Sequence, residues 1–143
     1  MTCRALMMTG ALTLATAAEG GQDAARVAQD RALAAQAPAV AQACGVPVAV
    51  SIDWATFQGA APAVSEGAAK SCGDGLRGLV QGCTADAGDR AAFQRLYKSF
   101  VCTYGGPGKR KITTGNGVIT YAFDPAKGGA DSVEGYVFGL IKD

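Results

Sequence analysis

Bulky and small side chains alternate along Val46–Trp54, with Val48, Val50, Ile52 and Trp54 set against Ala49, Ser51 and Asp53. A period of two predicts a strand with one apolar face. Leu76, Leu79, Val80 and Cys83 instead recur at helical spacing inside a Gly-punctuated stretch, with Asp74 a candidate N-cap. A second helix is expected from Asp86, where Asp89 stands three residues on in the manner of a capping box. Its apolar face would carry Phe93, Leu96 and Tyr97, and Phe100 too if the helix continued to Cys102 rather than giving way to a strand near Lys98. Ser99–Tyr104 is β-prone and runs into Gly105-Gly106-Pro107-Gly108, which makes a strand the preferred reading there.

Asn116-Gly117 is the pair favoured by a two-residue type I′ hairpin turn. That turn sets Thr114 against Ile119, Thr113 against Thr120, Ile112 against Tyr121, Lys111 against Ala122 and Lys109 against Asp124. Ile112, Ile119, Tyr121 and Phe123 then share one side of the ribbon. Upstream, Gln22–Ala43 is Ala-rich and helix-favouring, interrupted at Pro38, with only Val27, Leu33 and Val40 as large apolar residues. Downstream, Val133, Tyr136, Val137, Leu140 and Ile141 predict a last helix, capped by Asp131. The strands each have one bulky and one small or polar face. The expected fold is therefore two-layer α+β: an antiparallel sheet of about four strands with helices packed on one face.

The first eighteen residues carry the three parts of a secretory signal peptide. Arg4 is the positive charge, Ala5–Ala15 a short apolar run, and Thr16-Ala17-Ala18 the small residues of a cleavage site. The run is too short to span a bilayer. The expected organisation is a signal peptide over 1–18 and a single α+β domain over 19–143. Within that domain, 19–37 forms a surface helix that frays toward Glu19. Removing the signal peptide leaves 125 of the 143 residues, with twelve basic and twelve acidic side chains. A mature net charge of zero argues against nucleic acid as a partner, and no second long apolar run predicts membrane insertion.

Cys3 leaves with the signal peptide, and Cys44, Cys72, Cys83 and Cys102 remain. An even count in an exported chain predicts two disulfides. Cys72 and Cys83 are eleven residues apart, about 16 Å on one continuous helix, too far to be joined unless Gly73, Gly75, Gly78 or Gly82 breaks that helix. The expected pairs are Cys83–Cys102, stapling a helix end to the second strand, and Cys44–Cys72.

The chain contains no histidine. This removes Ser-His-Asp and Cys-His catalysis and every zinc site that relies on imidazole; no metal or other cofactor is expected. The run YGGPGKRK over 104–111 lacks the glycine spacing of a phosphate loop and precedes a strand rather than a helix, so it reads as a hairpin loop. Lys109 and Lys111 serve either as edge protection or as a partner contact. Asp53 and Asp124 end strands, but nothing in the sequence brings them together as an acid/base pair. Ser65, Lys70 and Ser71 lack the spacing of a Ser-Lys dyad. Trp54, the only tryptophan, is either a core-edge residue or a stacking platform.

The resulting expectation is a periplasmic or secreted binding module, of inhibitor, immunity or accessory type, without catalytic activity. It would engage a protein or an envelope component through a small-residue sheet face carrying Asp53, Lys109, Lys111, Thr113 and Thr120. The alternative is a small His-independent hydrolase or transferase.

Overall fold

The computed structural model describes residues 16–109 and 111–124. The N-terminal run and the helix expected after Asp131 lie outside them. Helix α1 (Thr16–Ala34) stops before Pro38, which sits in the first turn of α2 (Ala37–Cys44). A proline there lacks only an N–H that would have no intrahelical partner. Gly45 closes α2 at φ 72°, a left-handed conformation open to glycine.

Strand β1 (Ala49–Ile52) is shorter than the alternation suggested. The Asp53 carboxylate accepts the Ala55 N–H at 3.1 Å and turns the chain into a 3-10 helix, Trp54–Phe57. Helices α3 (Pro62–Glu66), α4 (Ala68–Ala85) and α5 (Ala87–Leu96) follow. Asp86 caps α5 by accepting the Asp89 N–H at 2.9 Å, as the sequence predicted. Asp74, expected as an N-cap, is instead inside α4 and faces Lys70 and Arg77. Leu96, expected on the apolar face of α5, is 49% exposed.

Strands β2 (Ser99–Tyr104), β3 (Lys111–Gly115) and β4 (Val118–Phe123) complete a four-stranded sheet in the order β1-β2-β4-β3. The hairpin has the predicted register from Lys111↔Ala122 to Thr114↔Ile119, with Asn116 at φ 52° and Gly117 at φ 79°. The sheet, however, is mixed rather than antiparallel. β1 pairs parallel to β2, and β2 parallel to β4; of these pairs, β3 and β4 alone run in opposite directions. The alternation reports which face is buried, whereas strand direction follows from the connections. The chain between β1 and β2 is a helical crossover, which returns the next strand parallel. After β2 the loop through Gly105–Lys109 passes the end of β4, so that β3 takes the edge and β4 inserts between β2 and β3.

The core forms where the helices meet the bulky strand positions: Leu33, Val40, Leu76, Leu79 and Phe93 with Phe100, Ile119 and Tyr121, all buried. Two disulfides lie in it. They join Cys44 to Cys83 (Cα–Cα 4.9 Å) and Cys72 to Cys102 (Cα–Cα 5.8 Å), the opposite assignment from the expected Cys44–Cys72 and Cys83–Cys102. The crossover geometry explains the exchange. α4 runs antiparallel to β2: Cys72 bonds to Cys102, while one turn on Gly75 lies against Phe100. The start of α4 therefore lies beside the later half of β2, and its end is left to α2. Cys72 and Cys83 share one face of an unbroken helix and bolt its two ends to different elements, consistent with their being too far apart to pair.

Candidate functional site

Two of the surfaces formed by the described residues, the sheet and a cleft, carry exposed chemistry. On the sheet, the residues between the buried positions point away from the core. Ala49, Ser51 and Lys111 are exposed, and Val101, Thr103, Thr113, Thr120 and Ala122 are half-buried. Thr113 and Thr120 are directly paired across β3 and β4, and Lys111 begins β3 beside them. Lys109 is exposed in the preceding loop, where its N–H donates to the Gly106 carbonyl at 3.1 Å. The predicted residues Lys111, Thr113 and Thr120 are thus brought together, with Lys109 at their margin.

Asp53 does not join them. It follows β1 at the opposite edge of the sheet, three strand spacings or about 14 Å from β3. Its carboxylate caps the 3-10 helix. Asp124 is buried and accepts the Gly108 N–H, fixing the crossing loop over the end of β4. Both strand-end carboxylates therefore hold backbone.

The second surface is a cleft of about 450 Å³ between α1, the 3-10 helix and α3. One wall is the α1 face bearing Gln22, Arg26 and Gln29; the floor is Trp54 and Phe57; Ser65 and Glu66 of α3 close the other side. The indole N–H donates to the Asp30 carboxylate at 3.0 and 3.2 Å, and the Arg26 guanidinium lies 5.6 Å from the ring centre. Phe57 packs at 5.1 Å between centroids, tilted 50°. Gln29 is held at both ends of its amide, accepting the Ala69 N–H at 2.8 Å and donating to the Glu66 carbonyl. Trp54 packs at the core edge and lines the cleft.

The sequence reading missed Arg26, Gln29, Gln58 and Glu66. A signal was present: Gln22, Arg26, Gln29 and Leu33 fall at i, i+4, i+7 and i+11, one helix face. Leu33 is buried on it, while Val27 is 48% exposed, so the inward face of the first turns is polar. Among the described residues, no three His, Cys, Asp or Glu side chains gather as metal ligands would, and no helix is long and apolar enough to cross a membrane. No family model, curated protein or solved structure matches the chain.

Proposed function

We propose that this chain is an exported binding module without catalytic activity, and that its small-residue sheet face docks a protein partner with an acidic surface. The observation that carries the reading is the paired Thr113 and Thr120 beside the paired Lys111 and Ala122: short side chains with a basic margin. The reading takes the helices to cover one face of the sheet and the partner the other. Short side chains let a second backbone or sheet approach closely. Exposed Lys109 and Lys111 steer an acidic partner and raise its association rate more than its affinity. Export is supported by the signal-like first eighteen residues and by the two disulfides, which persist in oxidising compartments. The structural work of Asp53 and Asp124 favours binding over carboxylate chemistry.

The test uses the oxidised protein as bait in envelope extract, followed by association kinetics with the captured partner. Lys109→Glu with Lys111→Glu should slow association at least about tenfold at low salt and leave the thermal melt unchanged. Thr113→Arg should block docking by bulk. Unchanged binding by both variants would exclude this face.

A further inference from the structure

We infer that the cleft between α1, the 3-10 helix and α3 is a second, separate binding site, whose ligand is a neutral saccharide of about disaccharide size. In its turns before Leu33, α1 departs from the usual arrangement of a surface helix. It exposes Val27 and lays Arg26 and Gln29 inward, so the cleft has a polar wall where packing alone would have placed an apolar one. Its volume of about 450 Å³ is within the range of small-molecule sites.

The cleft is also held open by bonds made before any ligand arrives. The Gln29 amide ties α1 to the chain at Glu66 and Ala69, and Asp30 together with Arg26 fixes the indole. Preorganised walls reduce the ordering that binding must impose.

The chemistry of the lining selects the ligand. Gln22, Gln58, Ser65, Arg26 and Glu66 offer donors and acceptors in comparable number, and the guanidinium and carboxylate balance in charge. A net anion would meet Glu66, and a net cation would meet Arg26. A purely apolar ligand would strip water from all of these groups without replacing their hydrogen bonds. A molecule rich in hydroxyls, each both donor and acceptor, satisfies the set. Amide, carboxylate and guanidinium groups can each bridge two neighbouring hydroxyls, while the C–H face of a sugar ring packs on the half-buried Trp54 ring, which the buried Phe57 backs.

Trp54 is the only tryptophan in the chain, so its fluorescence reports this cleft alone. The oxidised full chain is titrated with cellobiose, maltose and di-N-acetylchitobiose. At least one should give a saturable change in emission below about 10 mM. Gln58 and Glu66 are exposed and their removal leaves the core intact. Gln58→Ala with Glu66→Ala should weaken that binding about tenfold or more with an unchanged melt, whereas Lys111→Glu, on the sheet face, should not alter it. Emission unmoved by all three sugars would overturn the assignment. So would a response confined to an anionic sugar phosphate or a short peptide added as a control, or binding that survives the double variant.

Discussion

The tightest constraint at the scale of single residues is in the middle of α4. Gly75 is buried, and a Cβ there would stand 3.0 Å from the Phe100 ring and 3.2 Å from Tyr121. Those two rings are buried and stacked with centroids 5.8 Å apart, so neither has space to yield. The glycine does not break the helix; it lets helix and sheet approach. Gly75→Ala gains up to about 1 kcal/mol of helix propensity but overpacks the contact by about 1–3 kcal/mol. The expected net effect is a loss of about 1 kcal/mol, read as a lower urea midpoint at constant m-value. A Cβ at Gly20, near the start of α1, would meet nothing within 4 Å, and Gly20→Ala provides the contrast: no loss. If both substitutions behave alike, the helix–sheet contact at Gly75 is looser than its geometry implies.

Local signals set the individual elements and were legible in the sequence; their arrangement was not. The Asn116-Gly117 turn and the β-prone run Ser99–Tyr104 gave the hairpin register and β2 correctly because both depend on neighbours in the chain. The direction of β2 against β1 and the cysteine pairing both depend on where the crossover through α3, α4 and α5 returns the chain, and the parallel pairing of β2 with β4 on the loop that sends β3 to the edge. The same holds for the cleft, whose polar wall is visible as a stripe through Gln22, Arg26 and Gln29 but whose floor comes from Trp54 and Phe57. The hairpin turn bears more than its own two strands. The Gly117 carbonyl also accepts the Lys98 N–H at 2.8 Å and the Ser99 N–H at 3.2 Å, anchoring the start of β2. A β-branched residue at φ 79° is strained by about 1–2 kcal/mol, and here the distortion is transmitted to a second strand. Gly117→Val should therefore destabilise by about 2 kcal/mol or more in denaturant, while Asn116→Gly should stay within about 0.5 kcal/mol. Equal, small effects would show that β4 holds its place without the turn.

At the scale of the whole molecule the two disulfides decide how the fold survives. They cross in sequence: Cys44–Cys83 spans 39 residues, Cys72–Cys102 spans 30, and each closes around one cysteine of the other. α4 is the shared member, held to α2 at one end and to β2 at the other. Each bridge should stabilise by about 2–4 kcal/mol, chiefly by restricting the unfolded chain. Together they supply about 4–8 kcal/mol, against a total stability of about 5–15 kcal/mol for an ordinary domain. The reduced chain is then left near the threshold of folding, because the sheet is small and, among the described residues, α1 contributes only Leu33 to the buried core. Thermal unfolding followed by circular dichroism, with and without reductant, should show a melting temperature lower by about 15 °C or more on reduction, with a broadened transition. Breaking one bridge at a time separates the contributions: Cys72→Ala with Cys102→Ala frees β2 from the helix, and Cys44→Ala with Cys83→Ala frees α2, each giving an intermediate melt. A reduced protein that melts within a few degrees of the oxidised one would mean that the core alone holds the fold, and the need for an oxidising compartment would fall with it.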